Sequence, residues 1–427
     1  MKYRHRIIES KLKKLKEHFS VIVVTGARQV GKSTLLVYLF GKNARHIVFD
    51  PVTDDLGARR DPEFFLQQNK TPLILDEIQY SPELLPIIKK KIDQDRTPGQ
   101  FFLTGSQNLS VIKSISESMA GRAAVVDMDP MSVPERLGRS GPALCFWLEE
   151  ILRAGKGTVS LDQLRRSGAV QARAGLFKML WRGGYPGTLD LPDDLLADYF
   201  QSYIRTYVER DIRVIAEVSD QQTFSRFFGL AAALTAQEVN YSHLGRELGI
   251  TPQTASRWLN ILKATYQWFE LPSYHGNSVK RLSNKGKGYL TDTGLACYLT
   301  RVSSPEALAT QPLLGAIFET HVVLEIKRMF SAVVSPVNFF HWRAHSGAEV
   351  DLVIERDGIL LPVEIKCKAK ITSADIRGLV AFREAYPKQC GIGALIASVE
   401  EPYFYSKDVL VLPYSLCGNA EKGTIRV

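Results

Sequence analysis

The chain has 427 residues, 45% hydrophobic and 23% charged, a balance that excludes a disordered or collagen-like protein and leaves room for roughly two to four domains. The formal net charge of +9 permits a polyanionic partner without requiring one. Five scattered cysteines (Cys145, Cys297, Cys367, Cys390, Cys417) form no Cys-x-x-Cys pair, which argues against a disulfide framework or zinc module and fits a reducing, cytoplasmic location. The basic start, Met1 to Arg6, runs into amphipathic sequence (Ile7, Ile8, Leu12, Leu15) and is not expected to be a signal core. No run of about 18 apolar residues predicts a membrane span.

In chain order, the first strong signal is the buried-strand run Val21-Ile22-Val23-Val24-Thr25. It leads into Gly26-Ala27-Arg28-Gln29-Val30-Gly31-Lys32-Ser33 and an apolar helical stretch from Thr34 to Phe40. That is G-x-x-x-x-G-K-S in the strand, loop and helix context of a phosphate-binding loop. The glycines let backbone N–H groups wrap a phosphate chain, and the helix N-terminus adds its positive dipole end. Lys32 is expected to reach the β- and γ-phosphates of ATP, and Ser33 to ligate Mg2+. A second apolar run, 71–75, ends in Asp76-Glu77. Asp76 is placed to hold Mg2+ through water, and Glu77 to polarise the attacking water, which means hydrolysis and not mere binding. Further strands at 46–50, 101–104 and 123–127 give five strands alternating with helices, hence an α/β, mostly parallel, doubly wound sheet. The polar tip Thr104-Gly105-Ser106-Gln107-Asn108 offers Ser106, or else Asn108, as a γ-phosphate sensor. Arg122 either completes a neighbouring subunit's site as an arginine finger or makes a surface salt bridge.

The phosphate loop, Leu75-Asp76-Glu77-Ile78-Gln79, Leu103-Thr104-Gly105-Ser106 and Ala120-Gly121-Arg122 resemble the prokaryotic AAA+ ATPases that carry a C-terminal domain of uncharacterised function. Gly183-Gly184-Tyr185-Pro186 and Tyr207-Val208-Glu209-Arg210-Asp211-Ile212 extend that resemblance over nearly the whole chain. It implies a helical lid after the sheet, within the helical stretch 141–235. It also implies a homo-oligomer, a hexameric ring, with sites shared between subunits. Arg210 and Arg213 are then alternative trans-acting or sensing arginines.

From 240 the pattern becomes compact. Ser242 to Leu248 reads as a short helix, Gly249-Ile250 as a turn, and Thr251-Pro252 as the cap and first position of a second helix. Ala255, Leu259 and Leu262 line its buried side, leaving Gln253, Thr254, Ser256, Arg257 and Asn260 exposed where a recognition helix meets the major groove. Strands at 269–274 and 287–291 flank a loop with Lys280, Arg281, Lys285 and Lys287 and no acid. This looks like a winged helix-turn-helix whose basic wing contacts DNA phosphates with weak sequence specificity. A winged helix that binds protein, with a merely solvated loop, is the alternative.

In the last third, Glu319 lies in a helical run, and 338–343 reads as a strand. Residues 346–354 turn into a strand carrying Asp351, and 360–366 form its hairpin partner with Glu364 and Lys366. Strand alternation puts Glu364 and Lys366 on one face, with Asp351 in reach. Asp351 and Glu364 would share a divalent metal and Lys366 would position a water, the chemistry of phosphodiester hydrolysis. The series resembles the PD-(D/E)xK nuclease superfamily, in which a helical acid matching Glu319 joins the metal site. That fold also serves as an inert DNA-binding or docking module. A helix is expected at 374–385, and a strand or two with a loose tail over 402–427.

The expected organisation is an ATPase core with lid over 1–200, a helical linker and winged helix over 201–304, and a nuclease-like fold over 305–427. The function read from it is an ATPase driving a DNA-translocating or branched-DNA-remodelling machine, with cleavage open. The alternative is an ATP-dependent switch whose C-terminal domains bind proteins.

Overall fold

A computed structural model describes the chain except residues 1–2, 55–56, 106–118, 120, 139–142, 156–160, 162–172, 208–219, 277–284, 333–336, 345 and 415–427. Its contacts divide the chain into two compact units. One is Arg6–Met131 with Asn260–Gln267; the other is Met1–His5, Ser132–Leu259 and Trp268–Val427.

The first unit holds α1 (Glu9–Lys16), β1 (Val21–Thr25), α2 (Lys32–Phe40), β2 (Arg45–Val48), α3 (Pro62–Gln68), β3 (Leu73–Asp76), α4 (Leu84–Gln94), β4 (Phe101–Gly105) and β5 (Ala123–Asp127). The strands are parallel in the order β2-β3-β4-β1-β5, with Val21 opposite both Phe101 and Ala123. Parallel strands are covered on both faces, and β1, β3 and β4 are buried along their whole length. Phe65 and Leu66 of α3 and Ile88 of α4 pack on Val21, Val23, Leu75 and Leu103. Asp61 starts α3 by accepting the Phe64 N–H at 3.0 Å, a cap that contributes about 1 kcal/mol. The sheet brings Thr25, Asp76 and Gly105 to one edge, the C-terminal ends of three adjacent strands, where α/β sheets bind ligands.

The second unit opens with α5 (Val133–Arg136), α6 (Ala143–Ala154), α7 (Arg173–Arg182), α8 (Leu196–Thr206) and α9 (Gln221–Ala233). There follow β6 (Gln237–Glu238), α10 (Tyr241–Leu248), α11 (Pro252–Ala264, which crosses into the first unit at Asn260), β7 (Trp268–Leu271) and β8 (Lys287–Leu290). The three strands are antiparallel in the order β6-β8-β7. Asn240 caps α10 by accepting the His243 N–H at 3.1 Å, and Gly249, at φ 68°, ends it. The Thr251 hydroxyl accepts the Thr254 N–H at 3.1 Å, so the two helices meet across a short turn.

The chain continues through α12 (Thr293–Leu299), α13 (Pro305–Thr310), α14 (Leu314–Ala332), β9 (Asn338–Arg343), β10 (Glu349–Arg356), β11 (Ile359–Lys366), α15 (Arg377–Ala385), β12 (Gly393–Ala397), β13 (Tyr403–Ser406) and β14 (Val409–Pro413). These strands form a six-stranded sheet in the order β13-β14-β12-β11-β10-β9. β11, β12 and β14 run parallel, and the other neighbours are antiparallel. The β10–β11 hairpin turns at Asp357 and Gly358, both at positive φ, the geometry that suits strand twist. β12 is a strand that sequence reading does not anticipate. Its five residues are all buried. Among the described residues no helix is long and apolar enough to cross a membrane.

The Gly183-Gly184-Tyr185 motif has a packing explanation. Gly183 sits at φ 70°, and a Cβ there would meet Asp292 Oδ1 at 2.2 Å. The Gly184 N–H donates to Asp292 Oδ2 at 2.6 Å, while Asp292 Oδ1 caps α12 through the Leu295 N–H at 2.9 Å. The absence of a side chain at Gly183 lets the backbone close on a buried carboxylate that starts a helix.

Candidate functional site

The phosphate loop leaves β1 at Thr25 and enters α2 at Lys32. Gly26 has φ 145°, and a Cβ on it would lie 2.2 Å from the Met128 carbonyl oxygen, so a side chain is excluded there. Gly31 caps α2 at φ 96°. The loop therefore presents its N–H groups and the free first turn of α2 to one point. Lys32 is buried, its Nζ donating to the carbonyls of Gly26 at 3.0 Å and Ala27 at 2.8 Å. The Ser33 hydroxyl donates to Asp76 Oδ1 at 2.9 Å. Thr104, at the end of β4, donates to the same oxygen and accepts the Glu77 N–H at 3.0 Å. Glu77 takes a left-handed φ of 57° and receives the Gln79 side-chain amide. His46 Nε2 stands 3.5 Å from Asp76 Oδ2. Hard oxygens from Ser33 and Asp76 beside an anion-binding loop are a donor set that suits Mg2+ carried by a nucleotide.

Two residues that sequence reading misses shape this site. Thr104 is the hub between Asp76 and Glu77; its signal was a lone polar residue ending a buried strand. The Arg6 guanidinium donates to the Val30 carbonyl at 2.7 Å and the Asp129 carbonyl at 2.8 Å, bracing the loop from outside the motif. Arg122 lies in an ion pair with Asp93 at 2.5 Å, the salt-bridge alternative raised for it. Ser106, Asn108, Arg210 and Arg213 lie outside the described residues.

The second constellation is brought together within the second unit. Asp351 on β10, Glu364 and Lys366 on β11 and Glu319 on α14 converge, with a fifth member, Lys287 of β8. Lys366 Nζ is 2.5 Å from Glu364 Oε1 and 3.6 Å from Asp351 Oδ2. Lys287 Nζ is 2.6 Å from Glu319 Oε1 and 2.9 Å from Asp351 Oδ1. Asp351 Oδ2 also accepts the Ile365 N–H at 3.0 Å, and the Tyr289 hydroxyl donates to Glu319 Oε1 at 2.7 Å. Lys287, expected in a solvated wing among DNA contacts, is instead 7% exposed and holds two carboxylates. Burial disfavours its charge, but Asp351 and Glu319 more than reverse that and raise its pKa. Burial likewise opposes ionisation of Asp351, yet Lys287 and Lys366 keep its pKa low. Glu364 is pushed well up by burial and by Asp351. Glu319 rises to about 7 through burial and Asp351, against the pull of Lys287 and Tyr289. Among the described residues no three His, Cys, Asp or Glu side chains are disposed to hold a metal. The expected shared metal of Glu319, Asp351 and Glu364 does not fit, because an ammonium already bridges each neighbouring carboxylate pair.

The chain has matches to three families, each over a separate stretch. Residues 18–137 match an AAA domain, 173–306 a domain of unknown function (DUF8612), and 314–417 another domain of unknown function (DUF4143). Residues 18–137 form an AAA-type ATPase domain. Uncharacterized proteins of Mycobacterium tuberculosis and Mycobacterium bovis are each 28% identical over 369 residues, 86% of this chain and 74% of theirs. Among solved structures, a Walker-type ATPase of Pyrococcus abyssi is 17% identical, covering 68% of this chain and 94% of its own, with a TM-score of 0.43. The RuvB Holliday junction branch migration motor of Thermotoga maritima is 16% identical, covering 62% and 87%, with a TM-score of 0.28.

Outside the ATPase domain, Gln253 and Arg257 on α11 are exposed and Thr254 is half-buried, while Ala255, Leu259 and Leu262 are buried, as the periodicity requires. Lys285 is exposed, and its carbonyl pairs with the His341 ring at 3.0 Å. Lys280 and Arg281 lie outside the described residues.

Proposed function

We propose that this chain hydrolyses ATP to drive a homo-oligomeric machine that acts on DNA. The observation that carries the reading is the 2.9 Å contact between the Ser33 hydroxyl and Asp76, which joins the phosphate loop to the strand-end acid. ATP would lie on the N–H groups of residues 26–34, with Lys32 exchanging its two carbonyl partners for phosphate oxygens. Ser33 and Asp76 would hold the Mg2+, which supplies positive charge to the β- and γ-phosphates. Glu77, pinned through its N–H by Thr104, would orient and polarise the attacking water. Ser106 would sense the γ-phosphate, and Arg122 or Arg210 would act on a neighbouring subunit's site.

The DNA part of the reading is supported by two helices across a turn, followed by strands of an antiparallel sheet in the order β6-β8-β7, an arrangement that fits a winged helix. The exposed Gln253 and Arg257, the half-buried Thr254, and Lys280, Arg281 and Lys285 would meet phosphates, giving weak sequence specificity. The β10–β11 hairpin with α14 and α15 supports a nuclease-like fold over 305–427. The test is the ATPase rate with and without duplex and branched DNA across a salt series. A DNA-stimulated rate, with binding that falls steeply with salt, is expected. No binding at low salt would reject the DNA machine in favour of a switch that engages proteins.

A further inference from the structure

A hydrolytic Asp and Glu-x-Lys site needs carboxylate oxygens turned to a divalent cation and one lysine beside them. Lys366 has that lysine's place, close to Glu364 and to the far oxygen of Asp351. Lys287 is a second lysine with no such part. It comes from β8, a strand of the neighbouring three-stranded sheet, and its ammonium lies between Glu319 Oε1 at 2.6 Å and Asp351 Oδ1 at 2.9 Å. Those are the helical acid and the strand acid that a metal would bridge. The other oxygen of Asp351 is held by the Ile365 N–H at 3.0 Å. Three carboxylates against two ammoniums leave at most one net negative charge, too little to draw a dication out of water into a buried place. One acceptor is left over: Glu364 Oε2 is buried without a hydrogen-bond partner among the described residues, and Glu364 is only 4% exposed.

We propose that Lys287 stands as a built-in cation where a divalent metal would bind, tying β8 to α14 and β10, and that a divalent-cation site lies latent beneath it. As it stands, the chain then does not cleave phosphodiesters through Asp351 and Glu364. This holds whether or not the chain engages DNA, so failure of the DNA-stimulated ATPase would leave it intact.

The test is Mn2+ binding to the full chain without nucleotide, read by electron paramagnetic resonance. Wild type and Asp351→Asn are expected to bind the same amount, because wild type has no Mn2+ held by Asp351. An Mn2+ in wild type that Asp351→Asn removes would overturn the proposal. Glu319→Gln replaces that control if Asp351→Asn does not fold. Lys287→Met keeps the apolar stem without the charge and is expected to gain one Mn2+ that Lys287→Met/Asp351→Asn loses. A folded Lys287→Met that gains none would refute the latent site. If Lys287→Met does not fold, the wild-type comparison decides.

Discussion

Lys32 and Lys287 are both buried lysines, and they differ in what holds them. Lys32 donates to two neutral carbonyls of its own loop. Lys287 donates to two carboxylates, one from a helix and one from another sheet. A carbonyl partner can be exchanged for a phosphate oxygen with a net gain in charge pairing. Releasing a lysine from two buried carboxylates leaves like charges facing each other. The first arrangement sets the ammonium against carbonyl dipoles and the second against full negative charges. Both carry the residues that sequence motifs associate with phosphate chemistry, so motif content alone does not separate them. The partner of the ammonium does.

The comparison breaks most sharply in the first region. Lys32→Ala is expected to lose nucleotide affinity, and Glu77→Gln to bind ATP while turning over about 100- to 10,000-fold more slowly. Calorimetric ATP binding and steady-state phosphate release measure the two. Normal turnover in Glu77→Gln would remove the water-polarising role and leave the site a binder only.

In the second region the expected loss is of stability. Lys287→Ala strips the cation from Glu319 and Asp351 and is expected to cost roughly 3–5 kcal/mol, read by urea unfolding, with ATP affinity at the wild-type level. An unchanged midpoint would mean that the carboxylates relax into water and that the latch carries no weight.

The same helix α14 carries a pH dependence. His321 is buried, and its Nε2 has no hydrogen-bond partner among the described residues. Burial, then the charges of Arg136 and Arg328, lower its pKa to about 3. A depressed histidine pKa means that folding favours the neutral ring, so the contribution is present above pH 6.5 and is lost as pH falls from there toward 3. The expected slope is about 1.4 kcal/mol per pH unit below 6.5. His321→Gln should flatten that part of the stability profile, and an equally steep profile in the variant would assign the slope elsewhere.

The phosphate loop and its acid pair are legible in the sequence because they are contiguous: eight residues of one loop and two acids at the end of an apolar run. Thr104 and Arg6 escaped because their roles arise when strands β3 and β4 pair and when the N-terminal segment crosses the loop. Strand β12 escaped because a short apolar run without alternation carries no period to separate strand from buried helix. Strand periodicity and hairpin spacing group Asp351, Glu364 and Lys366, and the structure holds the three side chains close together. Lys287 was misplaced for the opposite reason. Local charge made it one of four cations in an acid-free loop, and nothing local says that Glu319 and Asp351 lie against that strand.

Lys285 and Lys287 give the finest version of the comparison, since two positions separate an exposed lysine from a buried one. Lys285→Ala removes an exposed charge that pairs with no carboxylate among the described residues, so unfolding should stay within about 0.5 kcal/mol of wild type. If Lys285 meets a DNA phosphate, the same substitution lowers the salt slope of binding by about one, since one fewer counterion is released. Lys287→Ala should show the reverse pattern, with a large stability change and no change in slope beyond what unfolding explains. Equal slopes in wild type and Lys285→Ala would remove Lys285 from the phosphate contacts, and a slope change in folded Lys287→Met would mean that the buried lysine reaches DNA after all.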